Sequence, residues 1–255
     1  MASNSSNDVC IRALPCVGKP AGPCMLHPQI PQGSCLIVAP SNSGKTTMIV
    51  NLLLRKVFGV IVHYEVVHIF SPTCRSDASW DLVQEDVYHP HKIKCADGKR
   101  RMTAEIQLHD TFDQDHIQQL LTDQEELPKK ERPNTLIIID DFASDFRDTQ
   151  VMSRLAMRGR HSRMFLWIST QLYRKIPRSI RVNVPYYIFF QVNQNELKTI
   201  AEELATSKIQ DFISVFQKCT NKAYSFFCVN MKKTVRERYW CNFTTPLTVG
   251  PALSE

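Results

Sequence analysis

The chain contains no apolar run of bilayer-spanning length, where a membrane helix needs about 20 such residues. A membrane span is therefore not expected. It also lacks the start of a secretory leader. Met1-Ala-Ser-Asn-Ser-Ser-Asn-Asp has neither a basic opening nor an apolar core, which predicts a soluble protein without a signal peptide. A disulfide framework is missing too. Nine cysteines, an odd number, are scattered through 255 residues without paired spacing, which points to reduced thiols in a cytosolic or nuclear setting. Cys10, Cys16, Cys24 and His27 gather near the start. No close cysteine pair stands among them, so free thiols are favoured over a zinc module. No internal repeat is present.

What remains is the composition of an ordinary globular domain, 43% apolar and 22% charged. Such a chain can bury a sizeable core unaided. A formal charge of +6 suits a polyanionic partner without requiring one. Residues 1–33, rich in Ser, Asn, Pro and Gly, are expected to form a flexible or extended arm. A single domain is expected over 34–245, with its core at 34–204, a helix and hairpin at 205–245, and a loose tail at 246–255.

The most informative stretch runs from Ser34 to Arg55. Cys35 to Val38 is a short run of β-formers, as in a buried parallel strand. The polar turn Pro40-Ser41-Asn42-Ser43-Gly44 follows, and Lys45 to Lys56 patterns as a mostly buried helix. Strand, small-residue turn, Gly-Lys-Thr and helix together match a phosphate-binding P-loop. Successive backbone N–H groups would curl around a phosphate at the helix N-terminus. Gly44 would let the backbone approach where a Cβ would clash. Lys45 would reach the β- and γ-phosphates of ATP, Thr46 would ligate Mg²⁺, and Thr47 is a candidate for the α-phosphate. Ala39 stands where the first glycine of the pattern usually lies. It adds only a methyl group.

Downstream, Tyr64 to Phe70 patterns as a core strand, Asp77 to Val87 as a short helix, and Ala104 to Leu108 as a further strand. Asp113 to Leu127 is a polar helix with a narrow apolar stripe. Leu136-Ile-Ile-Ile-Asp140-Asp141 then describes a buried strand whose tip presents two carboxylates. Ligands of open α/β sheets collect at that edge. Asp140 would hold Mg²⁺ and Asp141 would orient or deprotonate the attacking water. A helix from Thr149 to Arg158, capped by Asp148, leads into the basic cluster Arg158-Gly-Arg-His-Ser-Arg163. The strand Met164 to Ile168 stops at Ser169-Thr170-Gln171, where Gln171 could sense a γ-phosphate or orient water. A strand at Tyr186 to Phe190, a helix at Asn195 to Ala205 and a short helix around Phe212 follow. Ala223 to Val229 and Arg236 to Phe243 pattern as a hairpin. Lys99, Arg100, Arg101, Arg174 and Arg178 are candidate DNA contacts, with solvated loop charges as the plain alternative. The fold class expected is a three-layer α/β P-loop NTPase of RecA-like, ASCE type, mainly parallel, with a C-terminal β-hairpin.

Ala39-Pro-Ser-Asn-Ser-Gly-Lys-Thr-Thr47, Leu136 to Asp141, Arg158-Gly-Arg-His161 and Ile168-Ser-Thr-Gln171 occur in that order with compact spacing. Their order resembles the FtsK/HerA superfamily of P-loop motors. Within it, the chain is most similar to the poxvirus-type genome-packaging ATPases of large DNA viruses, virophages and Polinton-like elements. Phe70-Ser-Pro-Thr73 with Asp77 and Trp80 adds to the likeness. The resemblance implies that Arg160, 19 residues after Asp141 and 11 before Gln171, is an arginine finger acting on a neighbouring subunit. Arg158 and Arg163 are rivals for that role, and His161 is a structural residue. Superfamily members commonly carry Glu where this chain has Asp141, which leaves the identity of the general base open.

The resemblance implies an ATP-hydrolysing, Mg²⁺-dependent translocase that packages double-stranded DNA, without sequence preference, into a preformed capsid. Expected partners are further copies of itself in a hexameric or pentameric ring, and capsid or portal proteins. It would be virus-encoded and work in the nucleus or a cytoplasmic assembly site. A P-loop kinase of a small metabolite or nucleotide and an ATP-gated scaffold with little turnover are the competing functions.

Overall fold

The computed structural model describes residues 33–54, 63–87, 92–94, 100–102, 104–142, 150–206, 208–247 and 249. The N-terminal cysteines, Lys99 and Asp148 lie outside them, as does the end of the expected first helix beyond 54.

Cys35–Val38 forms β1, and it is buried on both faces. That is what a run of four apolar residues without alternation requires. Cys35 and Ile37 face one core, Leu36 and Val38 the other. The strand pairs in parallel with β7 (Met164–Thr170) on one side and β8 (Tyr186–Phe189) on the other. Beyond β7 come β6 (Thr135–Asp140), β2 (Val66–Phe70) and β5 (Glu105–His109), all parallel. Beyond β8, β9 (Phe227–Asn230), β10 (Tyr239–Cys241) and β11 (Thr245–Leu247) run antiparallel. The nine-stranded order is β11-β10-β9-β8-β1-β7-β6-β2-β5. A separate two-stranded piece joins β3 (Lys92–Lys94) to β4 (Arg100–Met102).

The strand carrying the phosphate-loop pattern is thus separated from the strand carrying the paired acids by β7. The motifs bracketing β7, Arg158-Gly-Arg-His161 before it and Ser169-Thr-Gln171 at its end, consequently fall between those two strands at opposite edges.

Helices cover both faces. α1 (Lys45–Leu53) and α2 (Ala78–Val87) pack on the face holding Ile37, Val67 and Ile138. The other face, with Leu36, Ile137 and Ile168, is covered by α3 (Gln114–Glu126), α4 (Gln150–Arg158), α5 (Arg178–Arg181), α6 (Gln194–Leu204) and α7 (Ile209–Cys219). Helix starts follow the side-chain chemistry. The Asp113 carboxylate accepts the N–H groups of Asp115 and His116 at the head of α3, and Asn193 accepts that of Glu196 at α6. Such caps stabilise by about 1 kcal/mol each. The chain is anchored ahead of β1 as well: the fully buried Trp167 donates its indole N–H to the Gly33 carbonyl at 2.8 Å.

Most elements lie within two residues of expectation. Helix α1 stops at Leu53, short of the expected Lys56, and β3, β4 and α5 were not expected. The hairpin differs as well. It carries a third strand, β11, in which Pro246 stands opposite Trp240. Proline survives there because β11 is the edge of the sheet, where one side of the ladder needs no N–H.

Candidate active site

The carboxyl end of β1 turns directly into α1 through Gly44, whose φ of +93° is open to glycine at little cost. Asn42, at φ 59°, takes the left-handed region that Asn tolerates best among residues with a side chain. Ser43 closes the turn by donating its hydroxyl to the Pro40 carbonyl at 2.5 Å. No side chain caps α1, so the positive end of the helix faces a cleft of about 470 Å³. Ser41, Asn42, Gly44, Lys45, Thr46 and Thr47 all line that cleft. Pro40 and Ser43 instead hold the turn behind it.

Both acids at the tip of β6 join them in the cleft wall. Asp140 is buried and surrounded by hydroxyls. Thr46 Oγ1 donates to its Oδ2 at 3.1 Å and Ser71 Oγ at 3.3 Å, while Ser169 donates to Oδ1. Burial nevertheless dominates and pushes the Asp140 carboxyl above the usual carboxylate range, helped by the adjacent Asp141. A cation beside Thr46 and Asp140 would relieve that desolvation, so this donor set fits a hard, oxygen-seeking ion such as Mg²⁺. Asp141 has φ 59° and sits 3.4 Å, through Oδ2, from the ammonium of the buried Lys45. Lys45 therefore has a counter-charge when no phosphate is bound.

Four cleft residues come from parts of the chain to which the sequence reading assigned no site role. Pro72 and Thr73 continue from the end of β2, and Asp77 precedes α2, its carboxylate accepting the Ser79 N–H at 2.8 Å. Tyr224, between α7 and β9, is 61% exposed. Its ring lies about an ordinary contact distance, 3.5 Å, from where a Cβ on Gly44 would be. A flat aromatic at the mouth of a nucleotide-sized cleft is a ready stacking surface.

Gln171 stands at the same edge, directly after Thr170, whose carbonyl accepts the Ala39 N–H at 3.0 Å. It is exposed and outside the cleft lining.

Arg160 is elsewhere. It sits in the 3-10 turn Gly159–Ser162 immediately before β7, at the amino edge of the sheet, whereas the phosphate loop lies at the carboxyl edge. Seven residues of β7 separate the two edges by roughly 20 Å. The turn is firmly held. A Cβ on Gly159 would meet the Met164 carbonyl oxygen at 2.5 Å, so only glycine lets the chain pass this close. Gln124, from α3, donates to the Ser162 carbonyl at 2.8 Å, and the Ser162 hydroxyl donates to Glu125 at 3.0 Å. Arg160 itself is exposed, with no ion pair among the described residues. Its charge contributes to holding the half-buried Lys232 ammonium below the usual lysine range, second to burial. Of its rivals, Arg163 is engaged with the Arg132 carbonyl at 2.9 Å, whereas Arg158 is exposed.

The candidate DNA contacts divide. Arg174 donates its backbone N–H and Nε to Glu196, at 3.1 and 2.8 Å, so its charge is already matched. Arg178 is exposed at the head of α5. Arg100 and Arg101 lie in β4, with side chains outside the description.

A glycine-bearing turn at the head of a buried helix, a buried lysine and hydroxyl-bound acids on the next strand but one define a P-loop NTPase. Comparison with known proteins adds the lineage. A family model described as Poxvirus A32 protein matches residues 33–245, and the chain belongs to that family. It is a P-loop ATPase of the poxvirus packaging type. Among solved structures, B204, the DNA-packaging ATPase from Sulfolobus turreted icosahedral virus, is similar over 86% of this chain and 100% of its own, at 16% identity and TM-score 0.56. The genome packaging NTPase B204 from Sulfolobus turreted icosahedral virus 2 is similar in complex with sulfate (86% and 98% covered, 17% identity, TM-score 0.56) and with ATP-gammaS (85% and 98%, 16%, 0.55). At such identity the likeness establishes the fold. No curated protein matches the chain.

Proposed function

We propose that this protein is a ring-forming motor that hydrolyses ATP to drive double-stranded DNA into a viral capsid. The observation that carries it is the split between the two edges of the sheet. A triphosphate grip lies at one edge. An arginine with no ion pair among the described residues lies on a rigid mount at the other, out of reach of its own cleft. A ring in which the amino edge of one subunit meets the carboxyl edge of the next joins the halves.

In that assembly, Gly44 and the N–H groups opening α1 cradle the phosphates, and Tyr224 stacks on the base. Lys45 leaves Asp141 for the β- and γ-phosphates. Asp141, so released, orients the attacking water and accepts its proton. Thr46 and Asp140 would hold Mg²⁺, which would supply positive charge to offset that of the phosphates. Gln171, level with the end of β7, senses the γ-phosphate. The neighbour's Arg160 meets the charge that develops there, an effect of roughly 10³–10⁵ in rate for such fingers. DNA is held through phosphates, by Arg178 and the β3–β4 piece, and therefore without sequence preference.

The test is ATP hydrolysis by size-fractionated protein with and without duplex DNA. The expected result is turnover confined to the oligomer, raised by duplex DNA and weakened by salt. Turnover by the monomer, with phosphate passed to a small acceptor and no response to DNA, would instead establish a kinase.

A further inference from the structure

Away from the nucleotide cleft, three histidines from three different elements meet at the edge of the sheet. His68 comes from β2, His109 from β5 and His116 from the first turn of α3. One ring nitrogen of each lies within 4.8 Å of the other two. His68 Nδ1 and His109 Nε2 are 3.2 Å apart, and the ring centroids of His109 and His116 5.1 Å. Phe70 stacks on His109 at 4.4 Å, and Phe112 packs against Phe70 at 6.2 Å. The cluster is therefore walled by rings on its inner side.

Two features are poorly explained by packing alone. His68 occupies a position that alternation assigns to the apolar core, between Val67 and Ile69, and is only 3% exposed. The Nε2 atom of His116 is buried and makes no hydrogen bond among the described residues. A buried polar nitrogen without a partner costs about 1–3 kcal/mol. An imidazole pair would satisfy two of the rings, but a third nitrogen converging on them needs something else to bind.

We infer that His68, His109 and His116 form a binding site for a divalent transition ion of the zinc class. Three imidazole nitrogens around a tetrahedral ion, each at 2.0–2.1 Å, stand roughly 3.3 Å from one another. The His68–His109 separation already fits, and His116 closes the set by a small rotation of its ring. All-nitrogen donors select zinc and its neighbours, whereas Mg²⁺ and Ca²⁺ demand oxygen. His109 and His116 are only partly buried, so water can take the fourth position.

The site would fasten an otherwise weakly held part of the sheet. Among the described strands β5 is an outer one, paired with β2 alone. An ion shared by β2, β5 and α3 closes that edge. It also lies close to the cleft, because the His109 carbonyl accepts the Ser71 N–H at 3.0 Å and Ser71 donates to Asp140.

The test uses the full chain, stripped by chelation and titrated with Co²⁺ in the absence of nucleotide. Co²⁺ reports geometry through its visible absorption. Expected is one equivalent taken up with the strong bands of a four-coordinate nitrogen site, without a thiolate charge-transfer band, and displaced by Zn²⁺. Zn²⁺ should raise Tm by the linkage of ligand to folding. His116→Gln and, separately, His109→Gln should lose the bands and the Tm rise, while ATP binding shows that both variants fold. Asp140→Asn should keep the bands, which separates this site from the nucleotide's own ion. Absence of four-coordinate bands, a thiolate signature in their place, or bands surviving in both histidine variants would overturn the assignment.

Discussion

The carboxyl and amino edges of the central sheet carry charge in opposite ways. At the carboxyl edge every charged group of the cleft wall has a partner. Lys45 faces Asp141, Asp140 accepts from three hydroxyls, and Asp77 caps α2. In the proposed reading, this edge grips the triphosphate from a single copy of the chain. At the amino edge the backbone is tied down by Gln124, Glu125 and the close passage of Gly159, yet the Arg160 guanidinium has no ion pair among the described residues. A surface arginine on a fastened turn, with Lys232 near enough to add like charge, is poised for an anion supplied from outside. In the proposed ring, this difference assigns binding to one copy of the chain and turnover to two.

The largest break in that comparison comes from Lys45→Ala. It removes the one ammonium in the cleft lining among the described residues, and both ATP binding and hydrolysis should vanish in a binding titration and a phosphate-release assay. Arg160→Ala strikes the other edge. ATP affinity should stay within about twofold while turnover by the oligomer drops about 10³-fold; equal turnover would remove Arg160 as the finger and pass the role to Arg158. Gly159→Ala sharpens the point that the mount matters. With its Cβ 2.5 Å from a carbonyl oxygen, the turn must shift, at a cost of about 1–3 kcal/mol in stability. Thermal melting and hydrolysis should both decline, with ATP binding kept. The smallest effect is that of Tyr224→Ala. Loss of one stacking contact, about 1 kcal/mol, should weaken ATP roughly fivefold and leave turnover at saturation unchanged.

Much of the carboxyl edge was legible because its signals are local. Strand, turn and helix around Gly44 are consecutive, and Leu136 to Asp141 announces both its burial and its tip. A mainly parallel sheet was expected because the strands alternate with helices, although its strand order was not read. What escaped were contacts between distant segments. Ser169 was read only as the end of a strand, with attention on Gln171, yet Ser169 holds Asp140 while Gln171 lies outside the cleft lining. Tyr224 carries no pattern of its own and reaches Gly44 only because β9 folds back beside β8. His68, His109 and His116 have no motif spacing, and only the adjacency of β2 and β5 unites them. β11 was hidden by Pro246, which argues against a strand except at an edge.

The two-copy account is tested most directly by mixing its two inactive halves. Lys45→Ala keeps Arg160 but has no grip, and Arg160→Ala keeps the grip but has no finger. Combined under conditions that allow subunits to exchange, they should regain hydrolysis, up to about a quarter of the unmutated rate, because random mixing pairs an intact cleft with an intact arginine at one interface in four. Mixed rings that assemble yet remain as inactive as either variant alone would contradict it.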